Sequence, residues 1–150
     1  MPQSLAQVYV HLIFSTKHRE PLLAQAIRRR MHGYLATVLS NDECPALRVG
    51  GTADHVHLLF RPSKNRALAE VVENVKTSSS RWVKTQVPSL RSFHWQNGYG
   101  GFSVSPAELD SVAAYIEGQE EHHRVVSFQE EYRKLLAAYG VEYDERYVWD

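Results

Sequence analysis

Residues 54–60 read DHVHLLF, and the alternation inside this stretch decides how the chain is built. In an extended strand successive side chains point to opposite faces, so His55 and His57 share one face, roughly 6–7 Å apart. Val56, Leu58 and Phe60 then fill the other face, which is apolar enough to pack against helices. Two imidazoles at that spacing either converge on one metal ion or line a half-wet sheet surface. Asp54 alternates away from them and reads as a turn residue or a support behind His55.

Working outward, ALRVGG at 46–51 precedes this strand across a Gly-containing turn, which predicts a hairpin. Residues 5–14, LAQVYVHLIF, are rich in Val, Ile, Tyr and Phe and predict a strand buried over much of both faces. Between these strands Leu23, Ile27, Met31, Tyr34, Leu35 and Val38 recur at helical spacing, with Arg28, Arg29 and Arg30 mostly outside the stripe. A second helix is predicted over 65–86, with Asn65 as N-cap and a triple serine that is poor helix material. The aromatic run at 93–105, FHWQNGYGGFSVS, predicts two short strands or one strand kinked at glycine. Ser105-Pro106 opens a helix reaching about His122. A last helix starts at Ser127, with Glu130 completing a capping box, and stops at Gly140.

The order β-α-β-β-α-β with a helical tail is the split βαβ, ferredoxin-like α+β arrangement: a sheet with helices on one face plus a C-terminal helical extension. We read 1–150 as one domain, with the core in 1–104 and the extension in 105–150. Lys plus Arg and Asp plus Glu number 17 each, so any nucleic-acid surface must be a local patch. The single Cys44 cannot form an internal disulfide and fits a reducing cytoplasm. No run has the length of a membrane span and the first residues do not read as a signal peptide, so a cytoplasmic protein without membrane partners is expected.

Tyr115 and Gln119, in YIEGQEEHHR, are four residues apart on the predicted helix and share a face about 6 Å apart. Alone, the pair reads as a packing tyrosine and a solvated glutamine. His122 and His123 read as polar residues at a helix end rather than as ligands.

Taken with VHLIFSTKHREPLL at 10–23, DHVHLLF at 54–60 and WQNGYGGFSVS at 95–105, the Tyr115–Gln119 helix completes an ordered set. The chain resembles the small single-tyrosine transposases of bacterial insertion sequences, in the HUH endonuclease superfamily, and the related repeat-associated tyrosine transposases. The resemblance covers most of the chain up to about His123. It implies that His55, His57 and Gln119 hold a divalent metal, and that Tyr115 is the nucleophile of a single-strand DNA transposase forming a 5′-phosphotyrosine intermediate. It points to Mg or Mn; imidazoles alone also suit Zn or Ni, whereas glutamine and phosphate oxygens suit Mg or Mn. It further implies a single-stranded DNA substrate with a hairpin and a homodimer, in which the tyrosine helix of one subunit can serve the histidines of the other. The stretch VYVHLIF has no proline or lysine to discourage edge pairing.

Lys76, Ser80 and Lys84 repeat every four residues beside Arg81 and Trp82, as a phosphate-binding edge would. Lys17, His18 and Arg19 form a second basic cluster and Arg28, Arg29 and Arg30 a third, each equally readable as a solvated face. Two other readings stand beside the transposase. One is a non-catalytic ferredoxin-like nucleic-acid-binding module, although its RNA-binding versions carry stacking aromatics where this strand has histidines. The other is a metal-dependent hydrolase with no covalent step.

Overall fold

Tyr9–Ser15 (β1) and His55–Phe60 (β3) form the antiparallel centre of a four-stranded sheet, with Ile13 opposite His57 and Ser15 opposite His55. The computed structural model describes residues 2–150. Ala46–Gly51 (β2) adds to β3 and Gly100–Val104 (β4) adds to β1, giving the order β2-β3-β1-β4 with every neighbour antiparallel. This is the expected ferredoxin-like α+β sheet.

Alternation along the strands divides the molecule into two layers. Leu12 and Phe14 of β1, with Val56, Leu58 and Phe60 of β3, face Gln25–Asn41 (α1) and Leu68–Gln86 (α2), where they build the main core. Each such fully buried side chain contributes about 1.5–3 kcal/mol. The opposite face of the sheet is covered by Leu109–Glu117 (α3), Gln119–His122 (α4) and Phe128–Ala138 (α5). Tyr9, Leu59, Val104 and Ile116 cluster there, as do Ile13, Phe102, Phe128, Tyr132 and Leu136. Along β1, His11 stands between Tyr9 and Ile13 and so between those two apolar clusters.

Two glycines set how closely the helices approach. A Cβ on Gly50 would lie 2.7 Å from the Ile116 carbonyl oxygen, and one on Gly100 would lie 2.6 Å from the Tyr132 ring. Their bare backbones let α3 seat on β2 and α5 on β4. The ends of α5 match expectation. Ser127 Oγ accepts the Glu130 N–H at 3.2 Å, and Gly140, at φ +64°, turns the chain so that Val141 N–H donates to Leu136 O at 2.9 Å.

Several expected boundaries move. β1 begins at Tyr9 rather than residue 5, and both its flanks are occupied, so the free edges are β2 and β4. The second helix starts at Leu68 with Ala67 at the N-cap, while Asn65 donates its N–H to Ser63 Oγ instead. The serines stay inside α2 because Ser79, fully buried, donates to Val75 O and accepts from Trp95 Nε1 at 2.9 Å. Trp95 makes a single bridge to Thr16, and only β4 follows it as a strand. The helix expected over 105–122 is a short turn at Pro106–Glu108 and then α3, which breaks at Gly118 before α4. Among the described residues no helix is long and apolar enough to cross a membrane.

Candidate functional site

The imidazoles of His55 and His57, both without solvent exposure, point from β3 at Glu131 on α5. His57 Nε2 lies 2.9 Å and His55 Nε2 3.5 Å from Glu131 Oε1. His55 Nε2 also meets Gln119 Oε1 at 3.0 Å. The second carboxylate oxygen accepts from Gln119 Nε2 at 3.1 Å and from the Tyr115 hydroxyl, and stands 3.2 Å from His122 Nε2 and 3.1 Å from His123 Nε2. Tyr115, Gln119, His55 and His57 thus meet within one chain.

Local sequence explains each placement. The break at Gly118 starts a new turn at Gln119, whose side chain is buried. Glu131 occupies the same helical stripe as Phe128, Tyr132 and Leu135, so α5 carries it inward to 2% exposure. Asp54, in the turn before β3, accepts from His55 Nδ1 at 2.7 Å and from Thr52 Oγ1 at 3.0 Å, leaving Nε2 of His55 to face the centre. It therefore acts as the support behind His55. His123 corrects its reading as a helix-end polar residue, because the turn after Gly118 folds it back over the cluster, 9% exposed at the side chain. Glu131 was not anticipated at all. Its signal was present: a carboxylate inside an otherwise apolar stripe demands buried partners.

The electrostatics follow from crowding. Burial opposes charge on Glu131, yet the imidazoles of His123, His55 and His57 beside it hold its carboxyl far below the usual range. Burial likewise opposes protonation of His55, but the bonds to Asp54 and Glu131 outweigh it and raise the imidazole to about 9. His57 and His11 are lowered to about 4 and about 3, chiefly by burial. Burial and then Glu131 push the Tyr115 phenol above its ordinary value.

These residues fit a divalent cation. Ligand atoms from His55, His57, His123 and Glu131 all lie within 4.8 Å of one another. His123 Nε2 is buried and near Glu131 but makes no aligned hydrogen bond, as expected of a group aimed at a shared point instead of at its neighbour. Imidazoles with one carboxylate suit first-row divalent metals. An open groove of about 520 Å³ beside Asp54, His123 and Phe128 adjoins the cluster.

Stability of chelator-treated protein should therefore peak near pH 6.5. The contribution of His55 is complete below its ordinary 6.5 and is lost as pH rises through about 9. His57 and His11, both lowered, add stability above 6.5 that is lost as pH falls through about 4 and about 3. Glu131 adds to the same acid limb. Urea midpoints measured across this range test it, and a flat profile would contradict the arrangement. A cation held by His55 would displace its proton, so saturating Mn²⁺ should then remove the alkaline decline.

Arg28 also borders the groove beside Asp54, whereas the other basic residues singled out lie elsewhere. Lys76, Ser80, Arg81 and Lys84 border a groove of about 470 Å³ between α2 and the 94–99 segment, on the layer away from the histidines. Lys76 directs its ammonium to the carbonyls of Gln96, Asn97 and Gly98, and burial lowers it to about 8. Ser80 Oγ donates to Phe93 O at 3.4 Å. Arg81 is exposed. Lys17 and Arg19 form a tight turn at the end of β1, held by Lys17 N–H to His94 O, next to Thr16, whose N–H donates to Asp54 O. Arg19 lies over the Trp149 ring at 5.5 Å.

Comparison with known proteins gives a consistent picture. The family profile described as IS200-like transposase matches residues 4–119. The ISDra2 transposase TnpA of Deinococcus radiodurans is 24% identical over 120 residues, spanning 77% of this chain and 86% of that protein. A crystal structure of a candidate transposase from Deinococcus radiodurans superposes with a TM-score of 0.65 at 22% identity, covering 79% of this chain and 98% of that one. A REP-associated tyrosine transposase bound to a REP hairpin gives 0.61 at 10% identity, covering 84% and 74%. At these identities the two structures speak for the fold alone.

Proposed function

This chain belongs to the IS200-like transposases, and from that premise we propose that it cuts and rejoins single-stranded DNA with Tyr115 as the nucleophile. The observation that carries the reading is the convergence of Tyr115, Gln119, His55 and His57 on Glu131. The phenol oxygen forms a bond to phosphorus, the bond from phosphorus to the 3′ oxygen breaks, and the phenol proton is accounted for on the released 3′-hydroxyl. One phosphodiester replaces another, so the break can be resealed by the reverse exchange. Tyr115 is half-buried, and its hydrogen bond to Glu131 fixes where the hydroxyl points.

His55, His57, His123 and Glu131, with Gln119 Oε1 beside them, would hold a divalent cation, Mg or Mn. Such a cation polarises a scissile phosphate and offsets its growing charge. Asp54, which accepts from Nδ1, orients the imidazole of His55 with Nε2 toward the centre.

We further propose that the DNA strand follows the groove beside Arg81 and Lys84, rounds the end of the sheet over Lys17 and Arg19, and reaches the centre beside Asp54. Lys76 and Ser80 shape that groove by tethering residues 93–98 instead of meeting phosphates. A hairpin substrate is supported by the REP hairpin bound to the structural neighbour. A homodimer would pair through β2 or β4, the two edges, and the completeness of the site within one chain supports catalysis in cis. The test is an SDS-stable adduct between the protein and a labelled single-stranded hairpin oligonucleotide in Mn²⁺. No adduct under any divalent metal would overturn the proposal.

A further inference from the structure

His11 lies in the centre of β1, 3% exposed, in a strand whose neighbours are apolar. Its Nε2 is 2.8 Å from Nδ1 of His57, and the two rings stack with centroids 5.0 Å apart. The other nitrogen of His57, Nε2, faces Glu131. An imidazole can give a cation its Nε2 lone pair only while its proton sits on Nδ1, and a buried Nδ1–H needs an acceptor. Asp54 accepts from Nδ1 of His55. Among the described residues only His11 is placed to do this for His57.

Building on the metal reading above, we propose that His11 is a positioning residue for the centre: its Nε2 accepts the Nδ1–H of His57 and keeps Nε2 of His57 turned toward the cation. An imidazole suits this place better than a carboxylate. Without a cation, His57 Nε2 faces the Glu131 carboxylate and carries the proton, so His11 must donate to Nδ1. With a cation the direction of that bond reverses. A neutral imidazole can serve in either direction by changing tautomer, whereas a carboxylate can only accept.

The competing account is that His11 merely fills space, since its ring also lies edge-on to Phe102 and Tyr115 at 6.5 and 6.4 Å. The two accounts order the same substitutions oppositely. His11→Phe keeps the ring and removes the bond; His11→Gln loses the ring but keeps an amide that can accept or, flipped, donate. Mn²⁺ affinity is measured by the electron paramagnetic resonance of the free ion, for wild type, both variants and His57→Ala. Urea unfolding in chelator checks that each is folded. We expect His11→Phe to weaken Mn²⁺ binding by about 10–100-fold, and His11→Gln to stay nearer wild type. Phe near wild type with Gln impaired would overturn the role. Should His11→Phe fail to fold, His11→Gln decides: retained affinity supports the role and lost affinity overturns it. A wild type that takes no Mn²⁺ removes the metal reading and this inference together. Binding that is lost in His57→Ala but unchanged in His11→Phe removes only the inference.

Discussion

Replacing Tyr115 with Phe should eliminate the covalent protein–DNA adduct while leaving a folded protein that still binds Mn²⁺. The substitution removes one oxygen, and the ring keeps its packing against the cluster of Tyr9, Leu59, Val104 and Ile116. What is lost is the hydrogen bond to the buried Glu131 carboxylate, a charged partner, so the metal-free protein should lose about 1.5–3 kcal/mol. Radiolabelled hairpin strands run on denaturing gels provide the readout. An adduct formed by the variant would move the nucleophile to another residue. The same variant tests whether chains share sites. Mixed with His55→Ala it should stay inactive, because each chain carries its own complete set and each would lack one member. Recovered activity in verified mixed dimers would restore an active site shared between subunits.

Glu131→Ala should have the second largest effect. The carboxylate is the common partner of Tyr115, Gln119 and His57, and its oxygens lie close to three further histidines. Removing it leaves the Tyr115 hydroxyl and Gln119 Nε2 without their buried acceptor, and each such unsatisfied group costs about 1–3 kcal/mol. At pH 6 in chelator His55, held protonated, keeps only Asp54 as its anionic partner. Mn²⁺ affinity should fall by more than the roughly 10–100-fold typical of groups that only support a ligand. Chemical unfolding and Mn²⁺ titration measure the two effects separately. An unchanged unfolding midpoint together with unchanged Mn²⁺ binding would show that Glu131 is neither hub nor ligand.

The strand pattern of DHVHLLF was enough to divide the sheet into a histidine face and an apolar face, because strand periodicity is a local property. The four ordered motifs likewise located Tyr115 and Gln119. Other features needed the third dimension. Gly118 breaks the helix between those two residues, and a single glycine in a helical pattern does not announce whether the helix will end there. Glu131 joins the centre because α5 folds back across the sheet to a histidine 74 residues earlier, and His123 because the turn after Gly118 brings its ring centroid within 4.4 Å of that of His55. Lys76 reads as a free cation along α2, and only the course of residues 96–98 reveals the carbonyls that occupy it. Asn65 lost its expected capping place because the chain reaches helical geometry three residues later, at Leu68.

The unequal division of apolar residues between the two layers bears on how a strand of DNA would reach histidines that have no solvent exposure. Among the described residues eighteen buried side chains tie α1 and α2 to the sheet, whereas clusters of five and four hold α5 and α3 against the other side. Free energy of local opening scales with such burial, so the layer bearing Tyr115 and Glu131 should part from the sheet well before the chain unfolds globally. Hydrogen–deuterium exchange would record this as amides of residues 109–138 exchanging ahead of those in β1, β3, α1 and α2; equal protection across both layers would exclude it. The reaction centre would then be guarded by a cooperative unit of low stability, admitting substrate by partial opening while the sheet and its histidines remain in place.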